Sequence, residues 1–192
     1  MRPSLLALPL LTVALIAQAP ETKLDADSLS GLQARNIGPA VMSGRISAID
    51  GVMEKGRLTL FVGAASGGVW KSMNGGTTWK PVFDKYAQSI GAIRIDPKDA
   101  KTIWVGTGEP WVRNSVSIGE GLYKTTDGGE TWNRVGLPAS ERIAAIAIDP
   151  TDSNIVYVAA MGHLWGPGGE RGLYKTTDGG KTWNRILYTD ED

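Results

Sequence analysis

The chain has 192 residues, a normal length for one domain, and its 20 Lys and Arg balance its 20 Asp and Glu. That balance offers no basic surface for nucleic acid, and the absence of Cys excludes a disulfide framework, a Cys metal site and a Cys nucleophile. The 25 Gly and seven Trp suit an all-β repeat protein with tight turns.

Residues 1–19 read as a secretory signal peptide. Arg2 supplies the positive start, Leu5–Ile16 is an apolar run broken only by Pro9 and Thr12, and Ala17-Gln18-Ala19 is a small-x-small cleavage site. The run is too short for a comfortable membrane span. The expected mature protein is periplasmic or secreted, with no membrane partner after cleavage. Residues 20–33 are a polar lead-in, and Arg35-Asn36-Ile37-Gly38-Pro39 opens a folded part covering 34–192.

From there the chain repeats as units of four short strands, at about 44–84, 89–136 and 142–187. In the first unit the strands are expected at Ile46–Asp50, Leu58–Gly63, Val69–Ser72 and Thr78–Phe83. In the second, Ile90–Ile95 is a nearly continuous apolar run that predicts a strand buried on both faces, and Asp96-Pro97 ends it. Thr102–Thr107 and Leu122–Lys124 follow, and the fourth strand starts at Trp132. The third unit repeats the plan with Ile143–Ile148, the stop Asp149-Pro150, Ile155–Ala160, Leu173–Lys175 and a last strand from Trp183.

The link between third and fourth strands is the most repetitive element. GLYKTTDGGETWNRV at 121–135 and GLYKTTDGGKTWNRI at 172–186 differ only at Glu130 against Lys181 and Val135 against Ile186, and GVWKSMNGGTTWKPV at 68–82 is a worn third copy. The structural positions are Ser72, Asn74, Gly76 and Trp79, then Thr125, Asp127, Gly129 and Trp132, then Thr176, Asp178, Gly180 and Trp183. Asp-Gly between β-prone runs is a hairpin signal. The carboxylate accepts from backbone N–H groups just ahead of it, and the glycines take positive φ without steric cost. The Trp is expected to bury its ring under the turn. A local turn acceptor accounts for these Asp residues without catalysis, and one carboxylate per turn is too few for calcium.

Four antiparallel strands repeated about every fifty residues make β-propeller blades, so the expected fold is all-β: three four-stranded meanders of an incomplete propeller. A sandwich has no reason to repeat. Propellers close with about four to eight blades, so three blades need further blades or self-association.

The turns at Ser72–Trp79, Thr125–Trp132 and Thr176–Trp183 match the Asp-box, or bacterial neuraminidase, repeat. With first strands ending Ile-Asp-Pro and second strands ending Trp-Val-Gly-Thr or Tyr-Val-Ala-Ala, residues 34–192 resemble the sortilin N-terminal domain and related secreted, glycosyl-hydrolase-like bacterial proteins. The resemblance implies a ten-bladed propeller, of which this chain would be under a third.

Candidate binding residues lie in the loops between second and third strands. That bridge is Ser66-Gly67 in the first unit, Glu109–Glu120 in the second and Gly162–Arg171 in the third. Long loops on a rigid scaffold concentrate binding residues. Glu109, Trp111, Arg113 and Asn114, with His163, Trp165, Glu170 and Arg171, set aromatic platforms beside charged and amide groups, a combination suited to sugars or peptides. The plainer alternative is that the indoles pack over the blade rim and the charges pair with one another. His163, the only His, makes no metal site, and no metal or cofactor is expected.

The expected function is a non-catalytic binding or scaffold domain for a peptide, protein or glycan. The alternative is part of a secreted glycoside hydrolase, xyloglucanase- or sialidase-like, with its catalytic residues completed elsewhere. Resemblance to sialidases implies a Tyr nucleophile, but Tyr123 and Tyr174 fall in strands and read as structural. Xyloglucan-cleaving propellers draw one catalytic carboxylate from a Thr-Asp-x-Gly-Gly stretch, and the matching Ala64–Gly68 has none.

Overall fold

The computed structural model describes residues 45–190. The signal-peptide and lead-in readings, and the start of the expected folded part at 34–44, lie outside the described residues. Twelve strands form three four-stranded antiparallel sheets, and no helix occurs among the described residues. The first blade is β1 (Ile46–Glu54), β2 (Arg57–Ala64), β3 (Val69–Ser72) and β4 (Lys80–Pro81). The second is β5 (Ile90–Ile95), β6 (Ile103–Thr107), β7 (Leu122–Thr125) and β8 (Asn133–Gly136). The third is β9 (Ile143–Ile148), β10 (Val156–Ala160), β11 (Gly172–Thr176) and β12 (Asn184–Leu187). Strand order is sequential within each sheet, as in a propeller meander.

The departures from the expected strands have local causes. β1 continues to Glu54 because no Asp-Pro stops it. Instead Glu54 pairs Arg57 across a two-residue loop in which Lys55 (φ 50°) and Gly56 (φ 77°) are both left-handed, as a type I′ hairpin requires. β5 and β9 stop at Ile95 and Ile148, ahead of Pro97 and Pro150. β4 is only two residues long because Pro81 has no N–H to continue a ladder. β8 and β12 begin one residue after Trp132 and Trp183, since both tryptophans still belong to the turn.

Each first strand is irregular at the same place. The pairing skips Ser47, Gly91 and Ala144, so a bulge re-aims the isoleucine just before each. Ile90 is thereby seated against Gly63 of the first blade and Ile143 against Gly106 of the second. The core lies in these seams. One cluster joins Phe61, Val69 and Phe83 to Ile90, Ile103 and Trp132, and the other joins Trp104 and Leu122 to Ile143, Val156 and Val158. Burying a large apolar side chain contributes about 1.5–3 kcal/mol, so each seam holds its two blades together firmly. β5, with a blade on either side, is buried at every position but Arg94. β9 was expected to match it, yet Ala144, Ala145 and Ala147 are exposed, because among the described residues it has a neighbouring blade on one side only.

Candidate functional site

A meander sends its second-to-third strand connections to one end of the blades and its third-to-fourth turns to the other. At the turn end the chemistry is self-contained. The Thr125 hydroxyl donates to Asp127 Oδ1 (2.6 Å) and accepts from the N–H of Gly129 (3.1 Å). Asp127 also accepts from the N–H groups of Glu130 (2.9 Å) and Thr131 (3.0 Å) and from the Thr131 hydroxyl (2.5 Å). Asp178 repeats the set with Thr176, Lys181 and Thr182. These donors hold both carboxyls well below the usual range, the Thr125 hydroxyl contributing most at Asp127 and the Thr182 hydroxyl at Asp178. Asn74 makes the uncharged version, accepting from the N–H of Thr78 (2.9 Å) while its amide donates to the Thr78 hydroxyl (2.9 Å). Every polar group characteristic of the motif is thus used inside its own turn.

The tryptophans do more than roof the turn. Trp132 lies near Gly129, but its indole N–H crosses to the Val82 carbonyl of the first blade (2.8 Å), and Trp183 reaches Val135 of the second (2.9 Å). Lys71 and Lys124 return the contact, donating to the carbonyls of Gly128 (2.8 Å) and Gly179 (3.0 Å) in the next blade's turn.

At the opposite end the two long loops converge on the link between blades, residues 137–142. The first loop is anchored at its base. Gly108 N–H donates to Ser89 O, Glu109 N–H to Ser117 O, and Gly119 N–H to Glu141 O (2.7 Å). The Glu109 carboxylate is paired with Arg45 of the first blade and is 1% exposed. The second loop closes with His163 N–H on Gly168 O and Arg171 Nη2 on His163 O (2.7 Å). It docks on the same link: Ala139 N–H donates to Glu170 Oε2 (2.8 Å), and Glu170 N–H to Ala139 O (3.1 Å). Glu141 bridges both loops, its carbonyl taking Gly119 while its carboxylate accepts from Arg142 (2.6 Å) and stands 3.6 Å from His163 Nε2.

The candidate residues therefore divide. Glu109 faces inward and anchors its loop, and His163, Glu170 and Arg171 hold the second loop on the link. Trp111 (68% exposed), Arg113, Asn114 and Trp165 (81% exposed) face solvent. No ring contact or hydrogen bond joins the two indoles. Arg45, Glu141 and Arg142 are the parts that sequence reading missed. Arg45 is distant in sequence, and the role of Glu141 depends on a left-handed backbone (φ 51°) that its residue type does not advertise.

Tyr123 donates its hydroxyl to Glu120 Oε1 (2.5 Å), and burial, then that bond, push the phenol up to about 12. A nucleophilic phenol needs the opposite shift, so this pair is structural. A cleft of about 470 Å³ opens among the inner strands, lined by Asp50, Val52, Arg94, Pro97, Ile148 and others. Its charges serve the seams: Arg94 Nε donates to Ile146 O (3.2 Å), Nη1 stands 3.6 Å from Asp50, and Asp50 accepts from Ile95 N–H (2.8 Å). Among the described residues no three His, Asp or Glu side chains gather to hold a metal ion.

Comparison with known proteins adds the family. The profile of the family described as "Sortilin, neurotensin receptor 3" (Sortilin-Vps10) matches residues 67–191, well over half of the chain. The chain belongs to the Sortilin-Vps10 family. This Sortilin-Vps10 chain is also 30% identical over 139 residues to a xyloglucanase of Hypocrea jecorina, covering 62% of this chain but 15% of that protein. Among solved structures it is similar to the GH74 enzyme of Niastella koreensis, with 30% identity, TM-score 0.51, and coverage of 67% of this chain and 19% of that one. An ancestral GH74 enzyme gives TM-score 0.57 at 24% identity, covering 76% of this chain and 19% of that one, a likeness of fold. The Sortilin-Vps10 chain thus spans under a fifth of the length of each of these relatives.

Proposed function

We propose that the chain is part of a secreted or periplasmic Asp-box propeller whose loop end is a non-catalytic binding surface, with a glycan as its preferred ligand and a peptide or protein segment as the other class. The observation that carries this reading is the pair of solvent-facing indoles, Trp111 and Trp165, on adjacent loops fastened to the same link. An exposed indole on an anchored loop loses little entropy on binding and offers a flat apolar face to a sugar ring. Arg113 and Asn114 beside Trp111 supply directional hydrogen bonds. Similarity to a xyloglucanase and to a GH74 enzyme supports a glycan over a peptide.

A glycan array that includes xyloglucan oligosaccharides, read beside a peptide library, tests the proposal. Trp111→Ala and Trp165→Ala should each abolish the binding found and leave the unfolding midpoint nearly unchanged. Unfolding instead would make the indoles packing groups, and binding that survives both changes would move the ligand elsewhere.

The second reading, part of a glycoside hydrolase, rests on the same two relatives. Such an enzyme needs two carboxyl groups facing one glycosidic bond. Glu109 is sealed against Arg45 and Glu120 is taken by Tyr123, so this chain would have to receive a catalytic carboxylate from elsewhere. Release of reducing sugar from xyloglucan by the isolated chain would favour this reading over the first.

A further inference from the structure

Both seams between blades are built from equivalent positions, and the third blade presents the receiving half of that set uncovered. At the first seam Lys71 lies over Phe61 and donates to Gly128 O, Val82 O accepts from Trp132, and Gly63 receives Ile90. At the second, Lys124 lies over Trp104 and donates to Gly179 O, Val135 O accepts from Trp183, and Gly106 receives Ile143. The strand registers carry these positions to the third blade as Lys175 over Tyr157, Ile186 and Ala159. There Ile186 is 49% exposed, and no carbonyl takes a proton from Lys175 among the described residues.

One position breaks the pattern, and it selects the partner. A Cβ on Gly63 would stand 2.5 Å from Ile90 Cγ2, and a Cβ on Gly106 would stand 2.4 Å from Ile143 Cγ2. Neither seam could close with a methyl group there, because a β-branched side chain on a strand has little freedom to yield. The third blade carries that methyl group, on Ala159.

We propose that the exposed edge of the third blade is a socket for a further blade bearing the same Thr-x-Asp-Gly-Gly-x-Thr-Trp turn, restricted by Ala159 to one with a residue smaller than isoleucine at the start of its first strand. The turn supplies the indole N–H for Ile186 O and the glycine carbonyl for Lys175. The first blade of a second copy is the wrong occupant. It carries the matching turn at Trp79, but it presents Ile46 at the restricted position.

The test replaces everything after Leu187 with a second copy of residues 137–187, in two versions: one keeps isoleucine at the copied position 143 and one carries alanine there. The alanine version should slow amide exchange in β12 by about tenfold or more and raise the melting temperature above that of the unextended chain. The isoleucine version should do neither until Ala159→Gly is added, and removing the indole from the copied turn should cancel the protection. Equal protection by both versions refutes the size rule. No protection by either, including failure of the added blade to fold, refutes the socket. Concentration-dependent association of the unextended chain that Trp79→Ala abolishes would show that a second copy fits and overturn the choice of partner.

Discussion

Replacing Trp132 with alanine removes an indole that is 5% exposed, stands edge-on to Phe83 with centroids 5.2 Å apart, and donates to Val82 O over 2.8 Å. Truncating a buried aromatic costs about 3–5 kcal/mol. The stranded Val82 carbonyl adds about 1 kcal/mol, which places this site toward the top of that range. Trp132→Phe separates the parts, because it keeps most of the ring and loses only the donor and some volume, for about 1–2 kcal/mol. Urea unfolding should show the midpoints falling in that order with an unchanged slope. Trp79 is the control. It has the same place in its own turn, but it is 37% exposed and its indole has no acceptor among the described residues. Its replacement by alanine should cost about 1 kcal/mol or less. Equal losses at Trp79 and Trp132 would mean that the indole stabilises its own hairpin and not the seam, and the account of how blades are joined would be wrong.

Acid should weaken the second and third turns. Asp127 and Asp178 have folded pKa values below the ordinary 3.8, so the stability they lend is present above that value and is lost as pH falls through the folded value, from roughly pH 4 downward. Both carboxylates are open to solvent, which softens the effect, and melting curves of an Asp127→Asn, Asp178→Asn double variant should lose part of the acid dependence. Gly106→Ala should cost about 1–3 kcal/mol by overpacking against Ile143, and a companion Ile143→Ala that recovers part of the loss would confirm the contact. Glu109→Ala should cost about 1–3 kcal/mol, moderated because Arg45 is partly exposed and regains water, and amide exchange across the first loop should quicken.

Much of the blade plan could be read from residue types because its causes are local. Asp-Pro ends β5 and β9, the Thr-Asp-Gly-Gly run closes each turn from within, and apolar runs mark the inner strands. What joins one blade to the next was not legible. The acceptor of the Trp132 indole lies 50 residues back, and the Arg45 partner of Glu109 lies 64 residues away. No spacing rule links such pairs, so Glu109 reads as a free loop carboxylate when it is an anchor. The link at 137–142 was hidden for a different reason. Its work is done by backbone groups and by two left-handed residues, Leu137 and Glu141, neither of a type that signals such a conformation.

The two ends of the blades differ in how much chemistry they leave unspent, and this decides where a ligand belongs. At the turn end the repeats are nearly identical, and each hydroxyl, carboxylate and indole N–H in the second and third copies has a partner in its own turn or the neighbouring seam. A ligand there would have to displace bonds that hold the blades together. At the loop end the blades diverge, from a two-residue bridge to long loops, and the divergence adds side chains the fold does not use. Trp111, Arg113, Asn114 and Trp165 bind no other part of the described chain, while the residues around them are committed to holding the loops in place. Unspent groups on an immobilised frame are what recognition requires, because the frame meets the ordering cost before a ligand arrives.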